Sequence, residues 1–155
     1  MTTSRPASGE QQMARFTVGT GTYAIDIMQV REVLSPLTLT EVPGAPKFIE
    51  GLAELRGEFL PVIDLRRRMG LPMGKDYKVV VATVRGRRVG LVVDQVIDVF
   101  RVRSERIAPL DTLASSAAFS GVIKGEDGAI MIIEPDGLVS DLEAGALGEL
   151  ATAPE

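Results

Sequence analysis

The chain has no cysteine, no histidine and no tryptophan. Without cysteine there is no disulfide framework, no thiol nucleophile and no thiolate metal site. Without histidine the usual general base near neutral pH and the commonest metal ligand are both missing, which excludes most hydrolase and zinc mechanisms. No metal and no cofactor are expected. Aromatic residues are also scarce, with two tyrosines and five phenylalanines, and the formal net charge is −4. A phosphate-backbone footprint with aromatic stacking platforms therefore has no support, and nucleic acid is not an expected partner. Nowhere do about 20 apolar residues run together, and the polar start is not followed by an apolar block. These absences point to a cytoplasmic protein with no direct membrane insertion.

Hydrophobic residues make up 45% of the 155. That is enough for one compact domain or two small subdomains sharing a core. Residues 1–14, polar through Gln12, and residues 145–155, small and acidic, read as tails around a single domain at 15–144.

Within that domain the chain resembles itself. Val18 to Leu34 (VGTGTYAIDIMQVREVL) lies over Val84 to Phe100 (VRGRRVGLVVDQVIDVF) at an offset of 66, matching Ile25 with Leu91, Val30 with Val96, Glu32 with Asp98 and Val33 with Val99. Gly51 to Asp64 (GLAELRGEFLPVID) lies over Gly121 to Glu134 (GVIKGEDGAIMIIE) at an offset of 70, matching Leu60 with Ile130, Val62 with Ile132 and Asp64 with Glu134. Self-similarity of this kind indicates a duplicated unit.

Each copy consists of short β-branched or aromatic runs separated by hairpin-length turns, GTG in the first copy and RGRR in the second. Pro61 cannot donate to a ladder, which predicts an edge or a bulge for its strand. Asp64 is placed to cap a short helix over LRRRM, ended by Gly70 and Pro72, and Pro135 to open a second helix running through DGLVSDLEAGAL. The expected fold is all-β with short helices: two tandem five-stranded barrels, one at about 15–71 and the other at about 72–144.

Asp26, Asp64 and Asp94 each end an apolar strand and could be paired as an acid–base dyad, the basis of an alternative reading as a small enzyme. Local roles explain them better, Asp64 as a helix cap and Asp94 at a strand-to-turn junction. Arg66 to Arg68, with Arg85, Arg87 and Arg88, would be the anion patch of a second alternative, a nucleic-acid-binding tandem barrel. A solvated helix face and a charged hairpin account for them more simply. Arg56 is different, because it stands at a tight turn beside the permissive Gly57, and Glu32 is a matching acid among valines. If the turns converge, the two can form a partly buried pair suited to the planar guanidinium.

ELRGEFLPVIDLRRRMG, with YAIDIMQVREVL, VGLVVDQVIDV and FSGVIKGEDG…IMIIE in order, resembles the CheW family of bacterial chemotaxis coupling proteins from about Arg15 to Leu142. The resemblance implies two SH3-like barrels sharing a core and an adaptor with no active site. Its implied partners are the cytoplasmic tip of methyl-accepting chemoreceptors and the regulatory domain of a CheA-type histidine kinase, with recruitment to membrane-associated receptor arrays. Carried onto this chain, it places Val30, Glu32, Arg56 and Val79 in a receptor-binding groove and Ile107, Leu110 and Leu113 at a kinase contact. Gly57 and Asp64 keep structural roles. Glu54 departs from the amide that family members often carry before LRG and adds negative charge near Arg56.

Overall fold

The computed structural model describes residues 9–110, 117–126 and 128–151. Among the described residues, twelve strands form two six-stranded sheets. In chain order they are β1 (Glu10–Val18), β2 (Gly21–Asp26), β3 (Val30–Leu34), β4 (Leu39–Thr40), β5 (Gly51–Leu55), β6 (Glu58–Asp64), β7 (Lys78–Val84), β8 (Arg87–Val93), β9 (Gln95–Arg103), β10 (Ile107–Pro109), β11 (Phe119–Gly125) and β12 (Gly128–Ile133). Helix α1 (Leu65–Arg68) follows β6, a 3-10 turn (Pro135–Leu138) follows β12, and helix α2 (Asp141–Ala151) comes last.

One sheet has the order β10-β11-β12-β2-β1-β9, and the other, read in the matching direction, β4-β5-β6-β8-β7-β3. The two orders superpose under the duplication. They are not built from contiguous halves, however. The β1–β2 hairpin of the first copy joins β9 to β12 of the second, and the β7–β8 hairpin of the second joins β3 to β6 of the first. The division at residue 71 is therefore corrected: the copies exchange hairpins, so the strands of each sheet come from both ends of the chain. Each sheet also has six strands where five were expected, because the connections add the short edge strands β4 and β10.

The match extends to single residues. The β3–β7 ladder pairs Val33 with Val80 and breaks register between Val30 and Glu32. The β9–β1 ladder pairs Val99 with Ala14 and breaks register at the corresponding place, between Arg15 and Phe16.

Strand alternation divides the apolar residues among three clusters. In β7, Val79 and Val81 point into the core of their own sheet with Leu60 and Val62. Val80, Ala82 and Val84 point the other way, into a core shared with Phe16, Val18 and Ile25. Met13, Ile130 and Ile132 fill the inner core of the other sheet. A strand buried on both faces explains the unbroken run VVVATV.

Pro61 lies inside its sheet, between β5 and β8, and the β5–β6 ladder carries no bulge. The carbonyl of Val62 accepts from the Glu50 N–H on the β5 side, so the Pro61 nitrogen faces β8, where the parallel ladder begins only at Val62. The missing donor is thus not required, and the edge-or-bulge expectation is replaced.

Described residues within both expected tails belong to regular structure. β1 begins at Glu10 and buries Met13, and α2 runs through residue 151 with Leu147 fully buried in the shared core. The helix expected from Pro135 onward is interrupted at Val139 and Ser140. The Ser140 hydroxyl accepts from the Glu143 N–H, and the Glu143 carboxylate accepts from the Ser140 N–H, a capping box that starts α2 afresh.

Candidate functional site

LRG forms the two-residue turn between β5 and β6. Arg56 (φ 51°) and Gly57 (φ 82°) both take left-handed backbone, the geometry whose twist matches a hairpin. Arginine at φ > 0 costs on the order of 1 kcal/mol, so it is the side chain that this position uses. The guanidinium reaches Glu32 on β3 and donates to its carboxylate. Since β3 and the β5–β6 hairpin lie on opposite sides of the sheet order, this ion pair spans the mouth of the curled sheet. Arg56 remains 63% exposed, so its fork can still meet another molecule.

Val30 lies next to Glu32 along β3, half-buried against the shared core. Val79 is not a surface residue. It is 1% exposed, points into the inner core and pairs with Leu34, so it is a core residue and not the accessible groove member expected of it. The exposed apolar residue of β3 is Val33, 44% exposed and one residue along from Glu32. Its repeat mate Val99 is likewise exposed, a correspondence that could have been read as two outward-facing positions.

Among the kinase-facing candidates, Ile107 is half-buried on β10 against the inner core of its sheet. The Leu110 N–H donates to the Ser120 carbonyl at 3.3 Å. Leu113 lies outside the described residues.

The carboxylates that could have formed an acid–base dyad are committed elsewhere. Asp26 accepts from the Met28 N–H at 2.9 Å. Asp64 caps α1 through the Arg66 N–H at 2.9 Å and also receives the Arg66 guanidinium on both oxygens, at 3.0 and 2.9 Å. Asp94 takes the same guanidinium at 3.2 Å and the Gly19 N–H at 2.6 Å, which ties the GTG turn of β1–β2 to the opposite sheet. Hydrogen bonding to Asp64 first, and to Asp94 after it, raises the Arg66 pKa against the opposing effect of burial.

Arg66 is thus a buried structural cation, 4% exposed, and not part of a solvated face. Of its neighbours, Arg67 pairs with Glu50 at 2.7 Å and Arg68 with Glu143. Arg88 pairs with Glu58, and the Arg85 guanidinium donates to the Asp136 and Val139 carbonyls. Arg66, Arg67, Arg68, Arg85 and Arg88 thus have internal partners, which leaves the anion-patch alternative without support from them. Among the described residues no cluster of three potential metal ligands forms, and no helix is long and apolar enough to cross a membrane.

The CheW-like domain family matches residues 12–143. This chain belongs to the CheW family. It is similar to the probable chemotaxis protein CheW of Rhizobium etli, 32% identical over 145 residues, covering 89% of this chain and 93% of that protein. The chemotaxis protein CheW of Rhizobium meliloti is 33% identical over 135 residues, covering 83% and 87%. Among solved structures, the scaffolding protein TtCheW of Thermoanaerobacter tengcongensis matches with a TM-score of 0.77 and 32% identity, over 84% of this chain and 92% of that one. The all-β fold and the absence of enzymatic chemistry are those of the CheW family.

Proposed function

We propose that this protein is a non-enzymatic chemotaxis adaptor. It holds the cytoplasmic tip of a chemoreceptor and the regulatory domain of a CheA-type histidine kinase together at membrane-associated arrays, and so places the kinase under receptor control. The observation that carries this reading is family membership across residues 12–143, in a chain whose strand-end carboxylates are all used structurally. The receptor would dock where Val30, Val33, Glu32 and Arg56 meet the surface, exchanging part of the exposed Glu32–Arg56 pair for its own charged groups. The kinase would dock at the other sheet's open end, near Ile107 and Leu110. Signalling further requires that binding differ between receptor states, since an adaptor with equal affinity for both shifts nothing.

The test is co-sedimentation of the protein with receptor cytoplasmic fragments and kinase, wild type against Arg56→Glu, with kinase autophosphorylation followed in parallel. Arg56→Glu places two acids together at the groove. It is expected to lower receptor capture by about tenfold or more while kinase capture persists. Wild type that binds neither partner would overturn the adaptor reading. Receptor capture unchanged in Arg56→Glu would move the receptor surface away from this groove.

A further inference from the structure

The two copies fill their matching positions differently. Arg66 sits in a socket made by Asp64 and Asp94, and its repeat mate Asp136 accepts from the Arg85 N–H at 2.6 Å, so both sockets are occupied from within. The flanks of the shared core are not balanced in this way. On one flank Phe48, Ile49 and Val89 are buried, with Leu147 of α2 in the same cluster and α2 lying against β6 and β8. The offset of 70 that relates the Gly51–Val62 pair to the Gly121–Ile132 pair carries Phe48 onto Ala118 and Ile49 onto Phe119. The offset of 66 carries Val89 onto Tyr23. On this second flank Tyr23, Ala118 and Phe119 are only partly buried, and the chain runs from α1 to β7 without a helix that would cover them.

A cavity of about 380 Å³ lies there, walled by Tyr23, Phe119, Met69, Leu71 and Leu138, with Ala118 at the place where the first copy has Phe48. Tyr23 and Phe119 are larger than Val89 and Ile49, yet the room that a phenyl ring takes in one copy stays open in the other. The walls favour an aromatic occupant over an aliphatic one. Phe16, Tyr23 and Phe119 already form a chain of rings, with centroid separations of 6.3 and 6.2 Å, which a further ring extends. The Met69 thioether adds a sulfur contact that rings gain from. Arg68 is the one charged residue of the lining, and its guanidinium carbon lies 5.2 Å from the centre of the Phe48 ring, a cation over a π face. A lining with a cation and no acid disfavours a lysine or arginine in the same space.

We propose that this cavity seats an aromatic side chain of the kinase regulatory domain, in the position that Phe48 fills from within the chain on the other flank. The Leu110 N–H donates to the Ser120 carbonyl next to Phe119, so the cavity adjoins the β10 surface assigned to the kinase. Aromatic anchors seated in pockets carry a large share of the binding energy of an interface. The inference deepens the adaptor reading and rests on it for the identity of the partner, whereas the ring chemistry rests on the cavity.

The first arm titrates the full chain with N-acetylphenylalanine amide, followed by the NMR signals of the Met69, Leu71, Ala118 and Leu138 methyl groups. Saturable binding in the millimolar range is expected for a ligand of this size. Ala118→Phe supplies the ring from within and is expected to weaken binding by about tenfold or more without lowering the melting temperature. Should that variant melt lower, Ala118→Leu, a smaller fill, takes its place. Absence of saturable binding, or binding unchanged by filling the cavity, would overturn the site. N-acetylleucine amide bound as tightly would overturn the aromatic assignment. The second arm measures capture of the kinase regulatory domain, which is expected to fall about tenfold with the filled variant. Undiminished capture, with the first arm positive, would overturn the partner ring; failure of the wild type to capture the kinase at all would instead count against the adaptor reading itself.

Discussion

Glu32 and Asp98 occupy the same place in the two copies, each beside the same break in register, yet they are held in different ways. Glu32 receives Arg56 from the turn of the β5–β6 hairpin, across the mouth of its sheet. Asp98 receives Arg15 from the neighbouring strand β1, on both oxygens at 2.8 and 2.9 Å, and the Arg15 guanidinium also lies 4.4 Å from the centre of the Phe100 ring. That hydrogen bond to Asp98, ahead of the opposing effect of burial, raises the Arg15 pKa. At the turn equivalent to Arg56 the second copy has Glu126, which lines a cavity of about 390 Å³ together with Asp98. One copy thus brings an arginine from the hairpin turn to its acid, while the other holds its acid with Arg15 from the neighbouring strand and places a further acid, Glu126, at the turn. A duplicated scaffold can in this way hold equivalent acids through different partners, one largely solvated and one fixed within the sheet.

The largest effect should separate the two sockets. Arg66→Ala removes a buried cation from between Asp64 and Asp94 and is expected to destabilise the fold by about 3–5 kcal/mol. At the matching position, Asp136→Ala loses a carboxylate that caps a turn N–H, for which about 1 kcal/mol is expected. Urea unfolding of both variants measures the contrast. Equal losses would mean that the sockets are energetically alike.

The two ion pairs should differ less, but in a defined order. A double-mutant cycle on Arg15 and Asp98 is expected to give a coupling of about 0.5–1 kcal/mol, from a bidentate pair restrained over an aromatic ring. The same cycle on Arg56 and Glu32 is expected to give about half that or less, because the arginine is mostly solvated. A stronger coupling for Arg56 would make that pair a structural clamp and weaken its case as a docking surface. Glu126→Arg should in turn stabilise the fold by a few tenths of a kcal/mol at low salt, an effect that fades as salt is added. No gain at low salt would mean that Asp98 and Glu126 do not sense each other across the mouth.

These contrasts mark how far the chain could be read without coordinates. The repeat was legible because burial on one face of each strand forces apolar residues into register, as with Val62 and Ile132. The hairpin exchange was not, because a tandem pair and an exchanged pair have the same local pattern and differ only in which partner β1 and β7 find. Val79 lies in VVVATV, where both faces are buried, so alternation could not tell a groove residue from a core residue. Arg66 could not be told from Arg67 and Arg68 by type; only the turn of a one-turn helix aims it inward. The Ser140–Glu143 capping box, by contrast, was written in the sequence as S-x-x-E and marks where α2 begins.

That capping box also supplies the smallest asymmetry, since α2 has no counterpart after α1. Burial pushes the Glu143 carboxyl up, but the Ser140 N–H, the Arg68 guanidinium and the Ser140 hydroxyl together outweigh it and hold the pKa below the ordinary carboxylate value. A depressed folded-state pKa contributes stability that is fully present above the unfolded value, near 4.3, and is lost as pH falls through the folded one. Glu143→Gln keeps the side chain's shape but removes this titration. The wild type should therefore lose more stability than the variant between neutral pH and about pH 3, by under 1 kcal/mol because the ion pair is partly solvated. Urea midpoints at the two pH values, with the melting of α2 followed separately by amide exchange at Leu147, test this. A variant that loses as much as the wild type would mean that Arg68 and Ser140 hold the helix without help from the charge.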